Sequence, residues 1–124
     1  MKVLLVGGSG MVGNFVTPYL AKEHQLRVLD VRPPQHTDLV EYIEGSIADP
    51  DAVARALDGM DTFVTMVMRN EGGPGETDQW PASILANYEV NVVGLHLLLW
   101  TAQQQGIKRG VHISTRTVFR LMRN

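Results

Sequence analysis

Gly7, Gly8, Gly10 and Gly13, in the run Gly7-Gly8-Ser9-Gly10-Met11-Val12-Gly13, read as GxGxxG from Gly8 and as GxxGxxG from Gly7. Glycines at this spacing suit a phosphate chain. One or both of Gly7 and Gly8 let the backbone turn sharply, Gly10 removes a side chain where backbone must approach a pyrophosphate, and Gly13 lets a following helix lie close to the preceding strand. The first free N–H groups of that helix, with its positive dipole end, then face the phosphates. Asp30, twenty residues after Gly10, stands where a carboxylate can accept both hydroxyls of an adenosine ribose. The chemistry implied is the holding of a dinucleotide. Asp30 favours NAD, because its charge repels a 2′-phosphate, while Arg32 two residues on could offset that repulsion and leaves NADP open.

Twelve glycines in 124 residues make a chance GxGxxG unremarkable, so the motif depends on the elements around it. Lys2 to Val6, KVLLV, is too short for a helix and scarcely alternates, as expected of a central strand buried on both faces. Met11, Val12, Phe15, Val16, Tyr19 and Leu20 repeat at helical spacing, predicting a helix from Met11 to about Glu23 with that stripe on the sheet. Pro18 inside it should kink the helix unless tertiary packing absorbs the lost hydrogen bond. Leu26 to Val31 is the second strand, and Arg32-Pro33-Pro34-Gln35-His36 is a loop beside the expected adenosine site.

Glu41 to Ile47 reads as a third strand. Asp49-Pro50 then starts a helix, with the aspartate as N-cap and the proline at its first position. Val53 and Leu57 face inward there, and Gly59 ends it. Asp61 to Met68 is a fourth strand, and Arg69 to Glu76 a long connection of the kind that lines binding sites. A long helix from about Pro81 to Gln105 should carry Ile84, Tyr88, Val92, Leu95 and Leu99 on its inward stripe, with Gly106 as its stop. Gly110 to Ser114 is the fifth strand. Strands alternating with helices predict an α/β fold, a doubly wound parallel sheet of five strands in order 3-2-1-4-5, with ligand at the carboxyl ends.

The length suits one domain over residues 1–124, and 44% hydrophobic with 19% charged residues is ordinary for a globular chain. A net charge of -2 gives no general attraction to nucleic acid or anionic membrane. With no cysteine there is no disulfide, thiolate nucleophile or zinc-type CxxC pair. His24, His36, His96 and His112 lie apart, without the spacing of metal ligands. The first strand begins at residue 2, leaving no room for a signal peptide, and the purely apolar runs fall short of a membrane span, so a cytoplasmic location is expected.

VGGSGMVG at the start, Asp30, GSIADPDAVARAL followed by GMDTFVTMV, NVVGLHLLLWTAQQQGIKRGVHIS, and STRTVF at the end occur in the order found in one family. Along essentially its whole length the chain resembles the N-terminal, Rossmann-like part of the extended short-chain dehydrogenase/reductases, the NAD-dependent epimerases and dehydratases of sugar nucleotides. The resemblance implies that Gly7, Gly10, Met11 and Gly13 form the pyrophosphate turn, Asp30 the ribose contact, and Ser46 with Ile47 the adenine edge. It places Val67 and Met68 where the family usually has two alanines, so both would crowd the nicotinamide ribose. Asn91 falls at the asparagine of the family's NVxGT helix, the alternative being an exposed helix residue. Thr115 is placed like the catalytic Ser or Thr, three residues before the valine of a VYG-like motif.

There are departures. Ser46 replaces a common aspartate and Phe119 a tyrosine, and no Tyr is followed four residues later by Lys, so the YxxxK acid–base pair is absent. The resemblance therefore implies the cofactor half of an NAD-dependent epimerase, dehydratase or reductase, acting on a nucleotide sugar. The chain would stop before YxxxK and the substrate domain, completed by a missing C-terminal portion or a homodimer. The alternative is a non-catalytic dinucleotide-binding module that senses nucleotide or pairs with another subunit.

Overall fold

The computed structural model describes residues 1–70 and 82–114. Five strands, β1 (Lys2–Val6), β2 (Gln25–Asp30), β3 (Val40–Glu44), β4 (Thr62–Thr65) and β5 (Gly110–His112), form one parallel sheet ordered β3-β2-β1-β4-β5. This is the doubly wound sheet the alternating pattern predicts. Its order reverses between β1 and β4, which opens a crevice at their carboxyl ends.

β1 is buried on both faces because its alternate side chains serve different cores. Leu4 and Val6 join Leu29, Phe63 and the inward residues of α2 (Pro50–Leu57) and α4 (Leu95–Gln104). Val3 and Leu5 join Leu26 and Val28 on the other face, where Leu20 and Ala21 at the end of α1 (Met11–Leu20) pack against them. α2 begins as its sequence requires: the Asp49 side chain accepts the N–H groups of Asp51 and Ala52, Pro50 follows at the first turn, and Val53 and Leu57 are fully buried.

The strands are shorter than expected. β3 ends at Glu44 rather than Ile47, β4 at Thr65 rather than Met68, and β5 at His112 rather than Ser114. Each strand ends with its neighbours, since Val6 pairs with Thr65 and Thr65 with His112. Residues 45–47 and 66–68 are thereby released from the sheet to line the crevice.

Both predicted helical stripes need correction. In α1 the buried residues are Gly13 and Thr17, whereas Met11 is 88% and Phe15 71% exposed, with Val12 and Tyr19 also outside. The helix also ends at Leu20, not Glu23. The long helix runs from Ala82 to Gln104 as α3 (Ala82–Tyr88), a π-helical segment Glu89–Gly94, and α4; a start at Pro81 lies outside the described residues. Its buried residues are Ser83, Gly94, Leu98, Thr101 and Ala102, one position away from the expected stripe, and Tyr88, Val92 and Leu99 face out. In both helices small residues take a large share of the buried face, Gly13 and Thr17 in α1 and Ser83, Gly94, Thr101 and Ala102 in the long helix, because they let backbone approach the neighbouring layer; of the expected α1 stripe only Leu20 packs against the core, with Val16 half-buried. By length and mean hydropathy of 1.3 this helix could cross a bilayer, but Leu98 and Ala102 are packed in the core with α2.

Candidate functional site

At the carboxyl end of β1 the chain turns through Gly7, whose φ of +78° is in the left-handed region that favours glycine. Its N–H donates to Leu29 O at 2.8 Å, which fixes the turn to β2. A Cβ at Gly7 would lie 2.7 Å from Val67 Cγ2, so the valine after β4 packs directly against the turn. α1 then begins from Gly10, which supplies no side-chain cap. Its first-turn N–H groups therefore stand at an uncapped positive helix end. A Cβ at Gly10 would meet only Gly7 O, at 3.4 Å, and would project into space beside the loop. At Gly13 the opposite holds, since a Cβ would overlap the Gly8 carbonyl and lie 2.5 Å from Gly8 Cα. Gly13 thus makes the helix–loop contact and does not line the crevice.

Asp30 closes the next side. Its Oδ2 accepts Ser9 N–H at 3.0 Å and its Oδ1 accepts Arg32 N–H at 3.1 Å, while Ser9 Oγ donates to Arg32 O at 2.6 Å. The carboxylate is thereby held between the glycine loop and the segment after β2. Each of its oxygens keeps a second lone pair for a ligand hydroxyl. Below it, Tyr42 donates its hydroxyl to Asp30 O at 3.2 Å. Burial raises the Tyr42 phenol above its ordinary value, and the carboxylates of Glu44 and Asp30 add to that effect.

These groups surround a crevice of about 490 Å³. Among the residues singled out in the sequence, Gly7, Gly10, Asp30, Arg32, Ser46, Ile47, Val67 and Met68 line it. Ser46 Oγ accepts Ala48 N–H at 3.1 Å, and Ile47 is buried in the core cluster shared with α2 and α4. Met11 is the exposed first residue of α1, and Thr115 lies outside the described residues. Asn91, in the π-helical segment, is no idle exposed residue. Its Oδ1 accepts Arg69 N–H at 2.8 Å and its Nδ2 donates to Arg69 O at 2.6 Å. It clamps the backbone of one residue, Arg69, on both sides of its Cα, at the rim of the crevice.

Two residues the sequence reading passed over brace this site from outside its lining. One is Ser9, inside the glycine run, and the other is Asn14. Asn14 Nδ2 donates to Ser9 O at 3.0 Å, and Asn14 Oδ1 accepts Gln35 N–H at 3.1 Å. α1 continues through Pro18, which lacks the N–H that would bond to Asn14 O four residues earlier. His36 Nε2 takes that place, 3.1 Å from Asn14 O. Pro18 was the available signal, since a proline inside a helix always frees a carbonyl four residues before it.

Among the described residues no group of three His, Asp or Glu is placed to hold a metal ion. The arrangement suits an anion over the start of α1 and a polyol beside Asp30, with apolar walls between.

A model of the NAD dependent epimerase/dehydratase family matches residues 3–122. The chain is 37% identical over 123 residues to a 3 beta-hydroxysteroid dehydrogenase/Delta 5→4-isomerase of Mycobacterium tuberculosis, covering 94% of this chain and 32% of that relative. It is 29% identical to an N-acetyl-alpha-D-glucosaminyl-diphospho-ditrans,octacis-undecaprenol 4-epimerase of Escherichia coli, covering 96% of this chain and 34% of that relative. A short-chain dehydrogenase/reductase superfamily protein from Agrobacterium tumefaciens, solved with bound NAD, superposes with a TM-score of 0.82 at 27% identity, over 96% of this chain and 34% of the other. The chain thus spans about a third of the length of the curated relatives it matches.

Proposed function

The chain belongs to the NAD-dependent epimerase/dehydratase family, and from that membership we propose that it is the NAD-holding half of an oxidoreductase acting on a secondary alcohol. The carrying observation is the crevice at the sheet reversal, which combines an uncapped helix end, an approach left open by Gly10, and a carboxylate fixed at the end of β2. The pyrophosphate would lie against the backbone from Gly7 to Met11, the adenosine ribose against Asp30, and the adenine along Ser46 and Ile47. Val67 does not block this end, because its side chain is packed against Gly7.

When bound, NAD supplies the hydride acceptor for a carbinol carbon. The chain's own residues do the rest at the nucleotide end: backbone N–H groups and the α1 dipole offset the phosphate charge, and Asp30 orients the ribose. Thr115 would hold the substrate oxygen, as its position in STRTVF implies. No Tyr among these 124 residues is followed four residues later by Lys, so in this reading the tyrosine and lysine that move the proton would be supplied from outside them. The described sheet edge is in keeping with this, since β5 has only three residues, all exposed, Val111 among them at 56%.

Identity to a hydroxysteroid dehydrogenase favours an apolar carbinol, while the epimerase relative supports the sugar reading, including a nucleotide sugar. Both need the same cofactor half. Calorimetric titration with NAD and NADP tests the proposal, with NAD binding expected; no binding of either would remove it. The pure chain should turn over neither a hydroxysteroid nor a nucleotide sugar. Turnover lost in Thr115→Ala would show that these residues hold an acid of their own.

A further inference from the structure

We propose that Pro18, Asn14 and His36 form a tether that presets the adenosine end of the nucleotide site, and that His36 and Pro18 are positioning residues for cofactor binding. The inference rests on the nucleotide reading of the crevice and concerns residues outside its lining.

A proline in the eighth position of a ten-residue helix costs a backbone hydrogen bond. Pro18 is only half-buried, and the fully buried residues of α1 are Gly13 and Thr17. What the proline does is leave Asn14 O without a helical donor. His36 Nε2 occupies that oxygen at 3.1 Å, from the loop that follows β2. The Asn14 side chain holds the same loop one residue earlier, through Gln35 N–H at 3.1 Å, and the glycine turn through Ser9 O at 3.0 Å. Ser9 in turn bonds Asp30 Oδ2 and Arg32 O. The circuit therefore closes: helix to loop through Asn14 and His36, loop to carboxylate through Arg32 and Asp30, and carboxylate back to helix through Ser9.

Within that circuit lie Asp30 and Arg32, the two side chains of opposite charge at the place where NAD and NADP differ. Pro34 is buried inside the same loop, which limits its freedom further. A loop held in this way arrives with Arg32 already placed, and ligand binding need not order it. Remove the tether and the loop must be ordered at each binding event. Loss of about one hydrogen bond of preorganisation lowers affinity about fivefold.

Pro18 and His36 can be separated by experiment, because their effects on stability and on binding have different signs. In Pro18→Ala, residue 18 regains an N–H that bonds Asn14 O and displaces His36. The melting temperature should rise, since a proline leaves a helix interior, while NAD affinity falls about fivefold and the NAD over NADP ratio changes. In His36→Ala affinity falls by a similar factor without the rise in melting temperature. His36→Gln, whose amide can donate to the same carbonyl, should recover most of it. Hydrogen exchange of the Gln35 amide is the readout independent of ligand, and it should quicken in Pro18→Ala and His36→Ala and return in His36→Gln.

Pro18→Ala that is more stable, binds NAD as the parent does, and protects Gln35 equally would overturn the tether. Equal losses in His36→Ala and His36→Gln would overturn the hydrogen bond as its means. A parent chain that binds no NAD would instead overturn the nucleotide reading and, with it, the cofactor role assigned to the tether.

Discussion

Alanine at Gly10 and alanine at Gly13 are the same chemical change, three residues apart, with opposite expected consequences. At Gly10 the backbone has φ −77° and ψ 179°, open to any residue, and the added Cβ meets only Gly7 O at 3.4 Å. The fold should lose no more than the difference between glycine and alanine at a helix N-cap, about 1 kcal/mol, or roughly 3–6 °C in melting temperature for a chain of this size. The methyl, however, stands where a pyrophosphate would lie against the backbone. Overlap of this kind costs about 1–3 kcal/mol, roughly 5- to 150-fold in NAD affinity. At Gly13 the Cβ would overlap Gly8, with Gly8 Cα 2.5 Å away, and both groups are backbone that no rotamer change can relieve. Helix and loop must separate, costing at least about 2 kcal/mol even after the roughly 1 kcal/mol that alanine gains over glycine in a helix. The assay is a thermal melt by circular dichroism together with calorimetric titration. Gly10→Ala that binds NAD as tightly as the parent would show that no phosphate approaches there. Gly13→Ala with an unchanged melt would show that the contact with Gly8 is not the fixed one drawn above.

Three further outcomes are expected. NAD should be preferred to NADP by more than tenfold, because a 2′-phosphate ~4 Å from Asp30 meets repulsion of about 4 kcal/mol at surface-like screening, and half of that suffices; Asp30→Ala should narrow the gap in the same titration, and equal affinities in the parent would show that Arg32 dominates. Arg27→Met should cost about 2–3 kcal/mol in urea unfolding, since the guanidinium donates to Arg55 O, Ala56 O and Asp58 O at the end of α2 at 3.3, 3.0 and 2.7 Å, whereas Glu41→Gln, removing its exposed partner at 2.8 Å, should cost under about 1 kcal/mol. The raised Tyr42 phenol favours its neutral form in the folded state, so its contribution is intact below the ordinary phenol value and is lost as pH rises through the raised one; unfolding free energies measured from pH about 8 to about 11 should fall on the alkaline side, and less steeply in Tyr42→Phe.

The sheet order was legible because five short β-branched runs separated by helical periods leave few ways to wind a parallel sheet. The start of α2 was legible because Asp49-Pro50 satisfies donors locally, without help from the rest of the chain. The glycine turn and Asp30 were legible for a similar reason: their spacing encodes a backbone shape and a distance along one crossover. Asn91 was visible as a residue but not as a clamp, because its partner is the backbone of Arg69, and a backbone group carries no signature in sequence.

What misled was the weight given to size on α1 and on the 82–104 helix. Periodicity marks a stripe but not which of two adjacent stripes faces in, and on α1 the residues Met11, Phe15 and Tyr19 carry most of the apolar area. The buried face instead carries Gly13 and Thr17, with Leu20 packing on the sheet core beyond them, because Gly13 must clear the Gly8 backbone and Thr17 can return its hydroxyl to Gly13 O at 2.7 Å, leaving no buried polar atom unpaired. The glycine that allows the turn to exist therefore also sets the rotation of the helix. Once Gly13 faces in, residues 11, 15 and 19 are turned away from the sheet whatever their hydrophobicity, at 100° of rotation per residue. The same constraint fixes where Asn14 lies: one residue on from Gly13, at the edge of the buried face, within reach of both Ser9 and the loop after β2. Rotation of α1 and geometry of the nucleotide site are thus one fact, written in Gly13, and a hydrophobic-moment argument alone could not find it.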